Sequence, residues 1–295
     1  MLLQGRIAIV TGAGGGLGRC HALYLASQGA KVVVNDLTLA AAQAVADEIV
    51  AAGGEAMAAA GSVSDVDQVQ AMVDATMQQW GRIDILVNNA GILRDKSFAK
   101  MTMDDFRLVV DVHLMGAAIC SKAVWEIMRS QKYGRIVMTT SSSGLYGNFG
   151  QANYGAAKMA LAGLMQTLAI EGEKYGIRVN SLAPTAATQM TSGVLSDDSL
   201  KALNPALVSP GLLALVHDDA PTRAILCAGA GNFATAHITL TEGVYLGDDE
   251  QAGQKLIANW DKASDRSRER VPEFGFQQAA QELAAAGAAG PVTVR

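Results

Sequence analysis

The apolar positions of the chain gather into short continuous runs, separated by longer stretches in which they recur with a helical period. Arg6-Ile-Ala-Ile-Val-Thr11, Lys31-Val-Val-Val-Asn35, Ile83-Asp-Ile-Leu-Val87, Gly134 to Thr140 and Ile177 to Leu182 read as buried strands. Alanine-rich Glu55 to Ala60 reads as another. The intervening pattern predicts helices to Gln28, from Thr38 to Ala52, from Ser64-Asp65 to Trp80, from about Asp104 to Gln131, and through Tyr154 to about Tyr175. Thr38 reads as an N-cap residue, Ser64-Asp65 cap the next helix, and Gly53-Gly54 is a helix stop. Strands that alternate with crossover helices predict an α/β protein, a doubly wound parallel sheet with helices on both faces. All six prolines lie beyond residue 183, so the later part of the chain must bend. We read residues 1–245 as one domain with a covering segment at 185–221. Residues 246–295 form a helical extension ending in a loose Ala/Gly-rich tail.

Composition narrows the function classes. Half of the 295 residues are hydrophobic and 17% are charged, which supports a substantial core. A net charge of −5 offers no basic footprint, so no nucleic-acid partner is expected. Cys20, Cys120 and Cys227 lie far apart, and the four histidines are scattered, so no metal site is expected. No uninterrupted apolar stretch reaches roughly 18 residues, so no membrane span is expected. These features lead us to expect a cytoplasmic protein.

Candidate chemistry begins at Gly12-Ala-Gly-Gly-Gly-Leu-Gly18, between the first strand and its helix. Glycines there let backbone N–H groups approach a pyrophosphate at a helix N-terminus, which is a dinucleotide site of Rossmann type. The second strand ends at Asp36, whose carboxylate can accept ribose hydroxyls and repel a 2′-phosphate. The loop holds no basic residue before Gly18, and we expect Arg19 to face Asp36. NAD is therefore expected over NADP. Farther on, Tyr154 and Lys158 stand four apart on a helix, one turn apart on one face. An ammonium beside a phenol favours the phenolate, so Lys158 is expected to lower the Tyr154 pKa. Ser141, at the end of a strand and thirteen residues before Tyr154, could hold a substrate oxygen against that phenol.

Thr11-Gly-x-x-x-Gly-x-Gly18, Asn88-Asn-Ala-Gly91 and Ser141…Tyr154-x-x-x-Lys158 together resemble the short-chain dehydrogenase/reductase family over about residues 4–245. Asn88 to Asp95, Asp111-Val-His-Leu114, Gly144 to Tyr154 and Leu168 to Gly172 are more closely similar to the (3R)-hydroxyacyl-CoA dehydrogenases of that family. The resemblance implies hydride exchange between NAD and a carbinol carbon, with Ser141, Tyr154 and Lys158 catalytic. It places cofactor contacts on Gly12, Gly16, Leu17, Gly18, Asp36, Ser62, Val63, Asn88, Ala90, Gly91, Tyr154, Lys158, Pro184 and Thr188. The chain departs from the family pattern at His113, where the family has Asn, at Ser62, where it has Asp, and at Thr185, where it has Gly. The implied substrate is a fatty or steroid side-chain acyl-CoA. A 17β-hydroxysteroid, an acyl-carrier thioester and a catalytically silent NAD-binding sensor are the alternatives. Met190, Val194, Leu195, Leu200, Leu203 and Leu207 are candidates for a substrate wall or for ordinary core, and Arg94, Lys96, Lys100 and Arg107 read first as solvated surface, with contacts to CoA phosphates as the alternative. Apolar residues on more than one face of Ala156 to Ile170 predict a homodimer or homotetramer.

Overall fold

A computed structural model describes residues 1–187, 201–247 and 250–288. Its chain divides into two compact units, Met1–Ala236 and His237–Arg295. Thr188, Met190, Val194, Leu195 and Leu200 lie outside the described residues.

The first unit is built on an eight-stranded sheet of order β3-β2-β1-β4-β5-β6-β7-β8. The six strands read from the sequence are β1 (Ile7–Val10), β2 (Lys31–Asp36), β3 (Ala56–Ala60), β4 (Ile85–Asn88), β5 (Gly134–Thr139) and β6 (Ile177–Thr185). They pair in parallel, with Val10 opposite both Val34 and Val87. The chain steps outward from β1 to β3, then returns to the other side of β1 with β4. Loops leaving β1 and β4 thus part in opposite directions and leave a crevice at the strand ends, where α/β sheets bind ligands.

Two strands had no signal in the sequence reading. β7 (Ile225–Gly229) extends the parallel set, and β8 (Asn232–Ala236) turns back antiparallel to it. Their two-residue connection holds Ala230 and Gly231 at φ of 52° and 75°, the sign that lets a tight hairpin follow strand twist. The Ala/Gly-rich sequence around that turn hides the hairpin.

The helices are α1 (Gly16–Ser27), α2 (Leu39–Ala51), α3 (Val66–Trp80), α4 (Met103–Val110), α5 (Gly116–Gln131), α6 (Ser142–Tyr146), α7 (Ala152–Gly172) and α8 (Ser209–Val216). Thr38 caps α2 through its side chain as expected, and of the expected Ser64-Asp65 pair it is Asp65 that caps α3. One sheet face packs Ala22, Leu25, Val45, Ile49 and Leu212 against Val10, Val32 and Val34. The other packs Val73, Val124, Met128, Leu161 and Met165 against Ile9, Leu86 and Ile136. Burial of each large aliphatic side chain contributes about 1.5–3 kcal/mol, so strands buried on both faces supply the rigid floor.

The single helix expected from Asp104 to Gln131 is interrupted. Asp111–Met115 forms a π turn between α4 and α5, a distortion that often marks a functional site. The whole run Met103–Gln131 is long and apolar enough to cross a membrane by length and composition. Here α5 buries Ala117, Cys120, Val124 and Met128 as a core helix.

The second unit carries helices Ala252–Ala258, Trp260–Ala263 and Phe276–Ala285. Within it, Leu240 and Arg270 form an isolated antiparallel bridge, and Arg268 pairs with Glu242 at 3.1 Å.

Candidate active site

Thr11 and Asn89 hold the crevice together. The Thr11 hydroxyl accepts the N–H groups of Asn89 and Ala90 at 3.0 and 3.1 Å, while the Asn89 amide donates to the carbonyls of Thr11 and Gly12 at 2.9 and 3.1 Å. A short polar residue leaving β1 and an amide leaving β4 are the sequence signal for this brace. Neither residue is among the predicted cofactor contacts.

The close approach explains the glycines. A Cβ on Gly12, which has φ +61°, would lie 2.8 Å from the Ala90 Cα, and one on Gly18 would lie 2.2 Å from the Gly12 carbonyl oxygen. Gly16 begins α1 at φ +52°, followed by Leu17, so the helix N-terminus faces the crevice with its free N–H groups. Asp36, at the end of β2, accepts the N–H groups of Gly14 and Leu37 at 2.9 and 2.8 Å. Its carboxylate is fixed beside the glycine loop.

Arg19 does not face Asp36 as expected. It forms a two-pronged pair with Glu48 on α2, because its position on α1 points it across that helix pair. Ser62 follows β3, with its N–H bonded to Gln68 at 2.8 Å and its hydroxyl accepting the Ser64 N–H. Val63 is buried against Gly116, whose Cβ, if present, would meet it at 2.6 Å. Pro184 is on β6, opposite Ala228.

The catalytic candidates meet where β5 ends and α7 begins. Ser141 caps α6 by accepting the Ser143 N–H at 3.2 Å, and its side chain lies near enough to Tyr154 to pull the phenol pKa down. The neighbouring Ser143 hydroxyl is committed to Gln151 at 2.7 Å. Helix α6 packs tightly on α7, since a Cβ on Gly144 would meet the Lys158 Cβ at 2.7 Å. Asn153, wholly buried and not anticipated, accepts the Tyr154 N–H at 2.8 Å and donates to the Arg94 carbonyl at 3.1 Å. A polar residue directly before the tyrosine was its sequence signal.

Lys158 is buried, with Nζ 2.5 Å from the Thr139 carbonyl oxygen and 5.4 Å from the Tyr154 ring centre. Burial lowers its pKa to about 7. The Tyr154 pKa is raised, first by burial; the Ser141 hydrogen bond opposes this, and the Asp95 charge adds to it. The direction is opposite to the lysine-driven lowering expected from the sequence: burial is the largest influence on the phenol, and it leaves Lys158 only about half charged near pH 7.

His113 stands on the π turn, edge-on to Tyr154 with ring centres 5.2 Å apart. Burial, followed by the Lys158 charge, lowers its pKa to about 3, against the pull of its Ile92 hydrogen bond. A Cβ on Gly91 would lie 2.3 Å from the His113 ring, which explains that glycine.

Within the expected covering segment, the Ala187 N–H donates to the Leu203 carbonyl at 2.6 Å. Leu207 is largely exposed. Arg94, Lys96 and Arg107 form ion pairs with Asp105 or Asp104.

A glycine cradle at a sheet switch point, beside a serine, tyrosine and lysine on one strand end and one helix, defines a nucleotide-dependent oxidoreductase. The short chain dehydrogenase family matches residues 6–199, and the chain belongs to that family, whose members use NAD or NADP and act on small molecules. It is 45% identical to peroxisomal multifunctional enzyme type 2 of Drosophila melanogaster over 278 residues, 90% of this chain. The chain spans 46% of the length of that enzyme. The solved full-length Drosophila enzyme superposes with a TM-score of 0.82 at 39% identity, covering 97% of this chain and 50% of that one. A short-chain type dehydrogenase/reductase of Mycobacterium tuberculosis is 42% identical over 92% of this chain and 98% of its own. A 7α-hydroxysteroid dehydrogenase solved with NADH and 7-oxo glycochenodeoxycholic acid has a TM-score of 0.72 at 32% identity, covering 78% of this chain and 95% of that one.

Proposed function

We propose that the protein is an NAD-dependent dehydrogenase that oxidises the 3-hydroxyl of a (3R)-hydroxyacyl-CoA to the ketone. The observation that carries this reading is the convergence of Ser141, Tyr154 and Lys158 beside a glycine loop in which Gly12, Gly14 and Gly18 leave no room for a side chain. Similarity to the multifunctional enzyme over 90% of the chain supports the acyl-CoA substrate. The glycine cradle and the first turn of α1 fit a pyrophosphate, and the Asp36 carboxylate fits an unphosphorylated ribose. When bound, an oxidised nicotinamide supplies a hydride-accepting carbon and a positive charge.

Tyr154 takes the hydroxyl proton as the substrate oxygen gains negative charge, and Ser141 donates a hydrogen bond to that oxygen. Lys158 supports the phenolate electrostatically when it is protonated. Asn153 and His113 hold Tyr154 from its backbone and its ring face.

The test is NAD reduction followed over a panel of (3R)-hydroxyacyl-CoAs and free 17β-hydroxysteroids. Folded Tyr154→Phe should turn over the best thioester roughly a hundredfold or more slowly, the scale of a lost general base, with NAD binding retained. Parent-rate turnover by that variant would exclude the mechanism, and a panel in which only free steroids react would exclude the substrate. NAD should bind at least about tenfold more tightly than NADP, a difference of about 1.4 kcal/mol, and Asp36→Ala should narrow the gap.

A further inference from the structure

Behind the crevice, two buried polar atoms have no hydrogen-bond partner: Oδ1 of Asn88 and Nδ1 of His113. Their residues are only 6% and 3% exposed. The other polar atoms of both side chains are engaged. The Asn88 amide nitrogen donates to the Ser121 hydroxyl at 3.1 Å and approaches the Met138 sulfur at 3.4 Å.

His113 Nε2 lies 2.8 Å from the Ile92 carbonyl oxygen and 3.1 Å from the Ile92 nitrogen. A single ring nitrogen either donates or accepts, so it cannot satisfy both backbone groups at once. The shorter contact selects Nε2–H donating to the carbonyl. Nδ1 of the neutral ring is then an acceptor, as is the Asn88 oxygen. Two acceptors cannot satisfy each other; they need a species carrying two donor hydrogens.

Both side chains line one small cavity, together with Thr11, Val63, Ala90 and Gly116. It gives the centre of a water molecule about 10 Å³, at the lower end of the roughly 10–15 Å³ that a buried water needs. We propose that this cavity binds one water molecule, which donates one hydrogen to Nδ1 of His113 and the other to Oδ1 of Asn88.

Water is the smallest species that meets both demands, and apart from Thr11 the remaining wall is valine, leucine, alanine and glycine, with no anionic group to hold a cation. The water ties the end of β4 to the π turn and fixes the orientation of the His113 ring. A ring flip would exchange Nδ1 for a carbon and break that tie. Because the same ring meets Tyr154 edge-on and lies over Gly91, His113 is a positioning residue for the proton acceptor. This second role rests on the proposed function; the water site does not.

The test uses the full chain labelled with ¹⁵N-histidine. The signals of its four histidines are separated by long-range proton–nitrogen correlation, and His113→Phe assigns the one of interest. We expect a neutral His113 protonated at Nε2. A high-resolution crystal structure should show a water at about 2.7–3.2 Å from both acceptors. An Nδ1-protonated tautomer, or a well-ordered cavity without density, overturns the site. His113→Phe keeps a flat ring against Tyr154 and removes both nitrogens. It should lower kcat by about tenfold to a hundredfold, the scale of a slightly misplaced reacting group, with the KM for NAD changed less than about twofold. A parent kcat in that variant overturns the positioning role.

Discussion

Lys158 shows at single-residue scale how function and stability oppose each other. Burial brings its pKa down from the usual lysine range to about 7. Between that value and about 10.5 the unfolded chain holds a proton that the folded chain has released. Stability contributed by this group therefore rises with pH across that window and is lowest at and below pH 7. Replacing Lys158 by Met removes the penalty. Urea unfolding should show Lys158→Met on the order of 4 kcal/mol more stable than the parent at pH 7, with the gap closing towards pH 10. A constant gap across that range would contradict the assignment. Tyr154 makes a second pH statement. Its pKa is raised, and oxidation needs the phenolate whereas reduction needs the phenol. Oxidation should accelerate as pH rises towards and beyond the ordinary phenol range near 10, whereas reduction should hold its rate until the phenol itself titrates above that range, which steady-state rates in the two directions will measure.

At the scale of elements, the loop between β1 and α1 separates glycines required by space from those that are not. A Cβ on Gly18 would meet the backbone oxygen of Gly12 at 2.2 Å, and backbone cannot rotate away. Gly15 has nothing within 4 Å of such a Cβ and an extended φ of −172° that any residue adopts. Gly18→Ala should destabilise the protein by about 1–3 kcal/mol, and Gly15→Ala should stay within about 0.5 kcal/mol of the parent. Thermal unfolding of the two variants distinguishes them. Similar Tm values would show that the loop moves to accept a side chain.

For the whole molecule, the helix that carries Tyr154 and Lys158 sets the question of assembly. One face of α7 buries Leu161, Met165 and Ala169, while its other side exposes Met159, Gly163 and Ile170. We propose that a second copy covers this stripe and gives a homodimer or a dimer of dimers, because exposed apolar stripes of this kind mark association surfaces. Light scattering at micromolar concentration should give a multiple of 30.6 kDa, and a particle of the single-chain mass would rule it out.

The alternating pattern by itself determined most of this architecture. Six strands, the capped helices between them and the glycine loop were all legible, because strands buried on both faces leave continuous apolar runs and caps need particular side chains. The spacing of Ser141, Tyr154 and Lys158 was legible for the same local reason, since one turn of helix joins the last two. What the sequence could not carry was set by approach between distant segments. The β7–β8 hairpin is held by pairing with β6 rather than by its own weak pattern. The choice of Glu48 over Asp36 by Arg19 depends on how α1 crosses α2. The upward shift of Tyr154 and the downward shift of Lys158 follow from burial, which many chain segments create together. The π turn beneath His113 likewise leaves the helical period almost unchanged; only the packed Gly91 backbone against that ring reveals why the turn is there.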